Sequence, residues 1–235
     1  MARQFRHLTF ALACAAALFG HLHAQAERPS ERKLRFTVFA PEVPTGLAYV
    51  VSMKPEKFSS LVFFPSARSP AYEHVGAGPL QFVDETTREP VASVAVPPNV
   101  KEALLVFFPA PPQPGSTLRY HVYVHDDGET KYGAGGLAVL NFSGLTLNGT
   151  IDRQQVDVTE GDQGPFNVGL SAKVQLTTTF HERKLQSYAE TITLGQDGRA
   201  LLILLPPFRK GSIEVQTRVL LDEIVAEKKE EKPKR

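Results

Sequence analysis

The fold is decided by residues 103–109, which have the sequence Ala-Leu-Leu-Val-Phe-Phe-Pro. Two further runs place apolar residues on consecutive positions, at residues 61–64 and 201–205, and a proline follows each of them. Proline has no N–H to donate to a neighbouring strand, so it marks the strand end. Such runs would invite pairing with other chains if they lay on sheet edges. We therefore expect all three runs to be central strands of their sheets.

Strand signals continue from these runs through most of the chain. They recur about every 8 to 15 residues between Leu34 and Leu221, and few segments keep a helical period beyond about two turns. β-branched and aromatic residues in partial alternation indicate sheets with one wet face. These patterns predict an all-β fold. The further predicted strands are residues 34–39, 47–53, 80–84, 91–96, 119–125, 137–142, 174–180 and 213–221.

An internal repeat organises the chain. Residues 103–109 match residues 200–206, which have the sequence Ala-Leu-Leu-Ile-Leu-Leu-Pro, and a Gly-Ser pair follows each stretch. Their separation of about 97 residues is close to the size of one immunoglobulin domain. We therefore predict two tandem immunoglobulin-like β-sandwiches, at residues 27–131 and 132–226. One larger β-sandwich is the alternative.

The repeat makes a prediction about packing as well as sequence. If it is real, the two long runs should occupy equivalent strands of two sandwiches, each in its own core, without meeting across the joint. If they pair side by side in one sheet, the chain is a single domain. The joint is predicted near Asp127-Gly128 and residues 133–136, where glycines permit unusual backbone angles. Closure of an ordinary hairpin by Asp127-Gly128 is an equally good interpretation.

The first residues have the three parts of a secretory signal peptide. A basic start at residues 1–7 precedes an apolar stretch at residues 8–20, and small residues follow at Ala24 and Ala26. This pattern predicts a signal peptide, residues 1–26, that is cleaved after Ala26. The apolar stretch of about 13 residues is shorter than the roughly 20 that a membrane-spanning helix needs, so an uncleaved anchor is the weaker alternative. We expect the mature protein to be periplasmic or secreted.

Composition narrows the classes of function. Cys14 is the only cysteine and lies in the apolar stretch, where its lipidation is a minor alternative; cleavage leaves the mature chain without a thiol for catalysis or metal binding. The net charge is +1, from 26 basic and 25 acidic residues, so no global field favours polyanions. We expect no cofactor, no nucleic-acid partner, and membrane contact only through the transient signal peptide. The charged residues 227–235 predict a disordered tail.

His121, Tyr123 and His125 share one face of a predicted strand and are weak surface-site candidates. Four residues along a strand span roughly 13 Å, whereas two nitrogens bound to one zinc lie about 3 to 4 Å apart. The two histidines therefore cannot share a metal on a regular strand, and we expect an exposed polar face. We predict no metal site and no catalytic residue, since no hydrolase motif is present. Residues 160–165 predict a turn instead of a metal-binding loop.

Residues 135–143 have the sequence Gly-Gly-Leu-Ala-Val-Leu-Asn-Phe-Ser. With the strand that follows, this stretch resembles a segment of exported bacterial β-sandwich proteins that carry no assigned function. The resemblance covers the second half of the chain loosely; it implies the fold and no activity. The length, export and sandwich count are also similar to those of two-domain periplasmic pilus chaperones, by analogy only.

These predictions favour an exported, non-enzymatic binding or structural module of the bacterial cell envelope or periplasm. Its partner, an envelope protein or glycan that the sequence does not identify, would bind on loops at one sandwich end or in the groove between domains. One alternative is a glycosidase-like hydrolase whose carboxylate pair is assembled from distant loops. A second alternative is a subunit that assembles by β-strand pairing.

Overall fold

The computed structural model describes residues 32–53, 55–76 and 78–224, and these contain strands and turns but no helix. The predicted all-β fold is therefore confirmed. The predicted signal peptide, its cleavage site and the predicted charged tail lie outside the described residues.

The first eight strands form two sheets of four strands. In the first outer sheet the strand order is β3-β2-β5-β6, and in the first inner sheet it is β4-β1-β7-β8. β1 and β7 are parallel, whereas the other neighbours are antiparallel. The two sheets enclose one apolar core, and we call this unit the first sandwich. Its strands are β1 (Arg32–Phe39), β2 (Leu47–Met53), β3 (Glu56–Ser60), β4 (Tyr72–Gly76), β5 (Leu80–Asp84), β6 (Pro90–Val94), β7 (Glu102–Pro109) and β8 (Tyr120–Asp126).

The next eight strands form the second sandwich around a separate core. The second inner sheet has the order β12-β9-β15-β16 and the second outer sheet the order β11-β10-β13-β14. These orders equal those of the first sandwich when eight is added to each strand number, including the parallel pair β9 and β15. The strands are β9 (Gly136–Asn141), β10 (Leu147–Ile151), β11 (Gln154–Val158), β12 (Gly161–Asn167), β13 (Ser171–Phe180), β14 (Arg183–Thr193), β15 (Gly198–Leu205) and β16 (Gln216–Glu223).

The consecutive apolar residues of β7 are explained by burial on both faces. Leu105 and Phe107 belong to the first core, whereas Leu104 and Val106 belong to a third apolar cluster that also contains Leu201 of β15. Successive side chains of a strand point to opposite faces, so the third cluster lies between the two inner sheets. The four sheets are therefore stacked in the order outer, inner, inner, outer. Strands covered on both faces need apolar residues at successive positions, as β7 has from Ala103 to Phe108.

β15 follows the same rule from the other side of the stack. Leu202 and Leu204 belong to the second core, whereas Leu201 and Ile203 belong to the layer between the inner sheets. The two long runs thus lie in interior strands, as predicted, and they do not pair in one sheet. The expectation that their side chains would not meet across the joint was wrong, because alternate side chains of both runs fill the shared layer. The domain boundaries at residues 131 and 132 stay a prediction.

The third apolar run does not form a strand. Residues 61–64 follow β3 in an irregular conformation in which Phe63 is buried and Val62 is exposed. The N–H of Leu61 still donates to the carbonyl of Leu47 at 2.8 Å. The prediction of a central strand was therefore wrong here, because a single buried ring is enough to hold this segment on the core.

The segment between β8 and β9 connects the two sandwiches. β8 pairs with β7, and β9 pairs with β12 and β15, so Asp127-Gly128 does not close a hairpin between β8 and β9, and that interpretation was wrong. The predicted turn at residues 160–165 was also wrong, since β12 runs through it and pairs with β9. Its register shifts between Gln163 and Phe166, which accommodates the glycine and proline of that segment.

Candidate functional site

The three predicted candidates lie on β8, an edge strand of the first inner sheet. Tyr123 pairs with Val106 and His125 with Leu104, so their shared face is the one that packs against the second sandwich. His121 is exposed and Tyr123 is half-buried, but His125 is only 1% exposed. The shared face is as predicted, whereas the expectation of an exposed polar face was wrong for His125, because the second sandwich covers it.

His125 is held between two carboxylates. Its Nδ1 lies 3.3 Å from Asp162 Oδ2, and its Nε2 lies 3.9 Å from Asp127 Oδ1. The ammonium of Lys131 contacts the same Asp162 oxygen at 3.0 Å. Burial alone would raise the pKa of Asp162, but the contacts with His125 and Lys131 outweigh it and hold that pKa below its ordinary value. The buried imidazole therefore lies between the carboxylates of the connecting segment and of β12.

Four charged residues form a second group at the joint, which we call the joint cluster: Arg68, Asp127, Arg199 and Asp222. Arg68 binds both oxygens of Asp127, with Nε 2.9 Å from Oδ2 and Nη2 3.0 Å from Oδ1. Nη2 of Arg199 lies 2.8 Å from Asp222 Oδ2 and 3.6 Å from Asp127 Oδ2. Bidentate pairs of this kind fix direction as well as distance. The cluster therefore locks the orientation of the groups that it joins.

Both arginines also reach backbone carbonyls. Arg68, from the first sandwich, donates to Leu220 of β16 at 3.3 Å. Arg199, from β15, donates to Asp127 at 2.8 Å and to Tyr132 at 3.0 Å in the connecting segment. Burial would lower the pKa of Arg68, but the charge and hydrogen bonds of Asp127 outweigh it and raise that pKa. Each guanidinium thus ties one sandwich to the other or to the segment between them.

The joint cluster also brings two carboxylates together. Asp127 and Asp222 contact the same nitrogen of Arg199, a proximity that a glycosidase would need for its acid and base. However, both oxygens of Asp127 are bound by Arg68, and its side chain is only 6% exposed. A substrate would have to displace the Arg68 guanidinium to reach this buried carboxylate. The arrangement is suited to holding the sandwiches together and not to proton transfer.

Sequence reasoning missed the joint cluster. Arg68 and Asp127 are 59 residues apart in the chain, and Arg199 and Asp127 are 72 apart. One signal was available, since Asp127 falls at the predicted joint, but nothing local indicated which arginines would bind it.

Asn141 is the last residue of β9 and lies in the stretch of residues 135–143 described above. Its buried amide donates to the carbonyls of Leu145 and Val158 at 2.9 and 3.0 Å. Its Oδ1 accepts from the backbone N–H and the hydroxyl of Ser143 at 3.0 and 2.6 Å. Asn141 therefore shapes the turn after β9, which is a structural role.

At one end of each sandwich the loop between the last two strands of the inner sheet and a hairpin turn of the outer sheet leave together, and we call this end the loop end. In the second sandwich β9 and β15 are parallel and finish there, β10 begins there, and β13 finishes there because it is antiparallel to β10. The β13–β14 turn and the β15–β16 loop, residues 206–215, therefore lie at the same end. In the first sandwich the same pairings place the β5–β6 turn and the β7–β8 loop, residues 110–119, together.

The second loop end exposes aromatic and basic side chains. Phe208 is 86% exposed in the β15–β16 loop, and Arg209 and Lys210 beside it are exposed. Phe180, at the end of β13, is 42% exposed. Neither Arg209 nor Lys210 forms an ion pair with another described residue. The second loop end therefore presents an almost fully exposed aromatic ring beside two basic side chains.

The first loop end has its charges paired. Arg119 Nη2 lies 2.7 Å from Asp84 Oδ2, and the backbone N–H groups of Thr86 and Thr87 donate to the other Asp84 oxygen. The bond from Thr87, followed by those from Arg119 and Thr86, lowers the pKa of Asp84 to about 2. A shallow depression of about 330 Å³ lies beside this pair, between the two loops. The paired charges of Asp84 and Arg119 therefore stabilise the β5–β6 turn.

No group of three or more His, Cys, Asp or Glu among the described residues is placed to hold a metal ion. Within the same residues, no helix is long and apolar enough to cross a membrane. Comparison with known proteins finds no family model that matches this chain and no curated protein that is similar to it in sequence.

Proposed function

We propose that this chain is an exported, non-enzymatic binding or structural module of the bacterial cell envelope or periplasm, and that it binds through the loop end of the second sandwich. The observation that carries the proposal is the exposed Phe208 with two unpaired cations beside it. Loops on a rigid scaffold are the usual place for binding residues. Export rests on the predicted signal peptide.

The buried layers support a scaffold. The two inner sheets share an apolar layer, and the joint cluster adds directed charge pairs at its edge. A packed layer of this kind resists hinge motion, because interdigitated side chains cannot slide without opening voids. The two loop ends therefore keep a fixed geometry, which suits recognition of a partner.

The hydrolase alternative receives less support from the same residues. The two carboxylates of the joint cluster, Asp127 and Asp222, are paired with guanidinium groups, and Asp127 is buried. Assembly by strand pairing also receives less support, since the two longest apolar strands, β7 and β15, are interior in their sheets.

Site-specific photo-crosslinking in cells that produce the full chain tests the proposal. A photoreactive residue at position 208 should crosslink to an envelope component, whereas one at position 118, in the matching loop of the first sandwich, should not. Leu118 is a fair control because it is 45% exposed. Cell fractionation of the same cultures reports export. Equal crosslinking at both positions, or a chain retained in the cytoplasm, would contradict the proposal.

A further inference from the structure

We infer that the loop end of the second sandwich binds the surface of an anionic lipid membrane. The inference rests on the binding surface named in the proposed function and specifies what that surface binds. It departs from the expectation, drawn from the net charge, that only the signal peptide contacts a membrane. Six residues carry it, and we call them the basic-aromatic end: Phe180, Arg183, Lys184, Phe208, Arg209 and Lys210.

The two halves of the basic-aromatic end are neighbours in space. The N–H of Val215, just before β16, donates to the carbonyl of Ser187 in β14 at 3.3 Å. β14 has four residues between its start and Ser187, so the hairpin tip lies about 13 Å beyond that bond. The loop at residues 206–214 begins at the level of this hydrogen bond and extends toward the same end of the sandwich as the hairpin tip. Phe180 and Phe208 therefore project from adjacent tips, 42% and 86% exposed.

The charge of this end is positive although the chain is balanced. All four basic residues of the basic-aromatic end are exposed, and none forms an ion pair with another described residue. Glu182 and Glu214 are the acidic residues of the two tips, so four positive side chains there outnumber two negative ones. The exposed Glu160, between β11 and β12, lies at the same end of the sandwich but at the sheet edges opposite β14 and β16. The net charge of +1 for the whole chain conceals this local excess. An anionic surface interacts with this local charge and not with the net charge of the chain, because salt screens electrostatic interactions beyond about 8 to 10 Å.

The combination of rings and cations selects a lipid surface over other anionic partners. A soluble polyanion would neutralise the cations but leave Phe208 in water. A protein partner normally requires a complementary surface of about 800 Å² on each side, whereas a bilayer requires only side chains that reach its interface. A bilayer interface accepts both, since apolar side chains enter the headgroup boundary by about 5 to 10 Å while basic side chains meet anionic headgroups. Each basic side chain near such a surface strengthens binding by about fivefold.

The absence of tryptophan from the sequence makes a site-specific probe possible. In the chain from Glu27, which retains every described residue, F208W places the only indole at the loop tip. Vesicles of phosphatidylglycerol and phosphatidylethanolamine should shift its emission to the blue and protect it from aqueous iodide. Vesicles of phosphatidylcholine should do neither. L118W, in the matching loop of the first sandwich, is the control for non-specific adsorption and should not respond.

Charge variants in the F208W background test the second half of the inference. Removing two cations with R209Q and K210Q should weaken binding to anionic vesicles by roughly 30-fold, since each contributes about fivefold. The double variant K33Q and K57Q removes the same charge from exposed positions of the first sandwich and should leave binding unchanged. Circular dichroism of each variant shows that the sheets are retained.

Three outcomes would overturn the inference. They are no spectral response of F208W to anionic vesicles, an equal response to neutral vesicles, and an equal response of L118W. If position 208 crosslinks to an envelope protein or glycan while F208W ignores vesicles, the membrane inference fails and the proposed function stands. If the chain is not exported, the proposed function fails whatever the vesicles show.

Discussion

Arg119 at the loop end of the first sandwich contacts Asp84 at 2.7 Å, whereas Arg209 and Lys210 in the matching loop of the second sandwich have no ion-pair partner among the described residues. The strand order around these loops is the same. Strand order therefore sets where the loops leave the fold, and loop sequence sets whether their charges serve the fold or remain available to a partner. Similar architecture gives no warrant to transfer a role from one end to the other.

The joint cluster shows a third use of charge, in which the groups are paired and also buried. Arg68, Asp127 and Arg199 have side chains that are 8, 6 and 7% exposed. Burial raises the cost of leaving any one of them without a partner, because an isolated ion loses its hydration. The three regions thus predict three sizes of effect when a charge is removed.

Removing the carboxylate at the centre of the joint cluster should have the largest effect. Asp127→Ala leaves the buried Arg68 without its ion-pair partner and Arg199 with one partner fewer, so we expect a loss of about 3 to 5 kcal/mol in the free energy of unfolding. Urea denaturation of the chain from Glu27 measures it. Asp84→Ala, which breaks the exposed pair of the first loop end, is the control and should cost much less. Equal losses in the two variants would contradict the distinction between buried and exposed pairs.

The middle of β10 should show the next largest effect. Gly149 is the third residue of β10, where β2 has Tyr49, a core residue whose burial raises its pKa to about 12. A Cβ on Gly149 would clash with the carbonyl oxygen of Gln175. Gly149→Ala therefore forces the backbone of β13 to shift, at a cost of about 1 to 3 kcal/mol. Gly78→Ala, whose Cβ meets nothing within 4 Å, is the matched control for urea denaturation and should be nearly neutral.

These positions show which parts of the structure a sequence can predict. β7 and β15 were predicted because their runs at residues 103–108 and 200–205 are apolar at every position, a pattern that follows directly from burial on both faces. β12 was missed because Gly161 and Pro165 have turn composition, and only pairing with β9 makes that segment a strand. The residues that pack over His125 and those that pair with Asp127 come from segments that are distant in the sequence. Alternation gives the face on which a side chain lies but not what packs on that face.

Acid should weaken the contact between β8 and β12. The pKa of Asp162 is lowered in the folded chain, so its carboxylate stabilises the fold above its unfolded pKa of about 3.9, and this contribution is lost as pH falls through the lower folded value. Asp162→Asn should therefore be less stable than the parent near neutral pH, and the difference should shrink below about pH 4. Urea denaturation across this range measures it. A difference that stays constant with pH would show that the ionised form is not what matters.

The smallest effect should come from the unpaired cations of the second loop end. R209Q and K210Q remove charges that are exposed and form no ion pair with another described residue, so we expect the free energy of unfolding to change by less than about 0.5 kcal/mol. In the first loop end, R119Q removes a partner of Asp84, whose pKa of about 2 depends in part on that contact. R119Q should raise the pKa of the Asp84 carboxyl, as followed by NMR titration, while R209Q and K210Q should leave it unchanged.

If R209Q and K210Q destabilise the chain as much as Asp127→Ala does, these residues serve the fold and the contrast between the two loop ends is wrong. If they leave stability intact and remove vesicle binding, the cations of the second loop end are retained for a partner outside the chain.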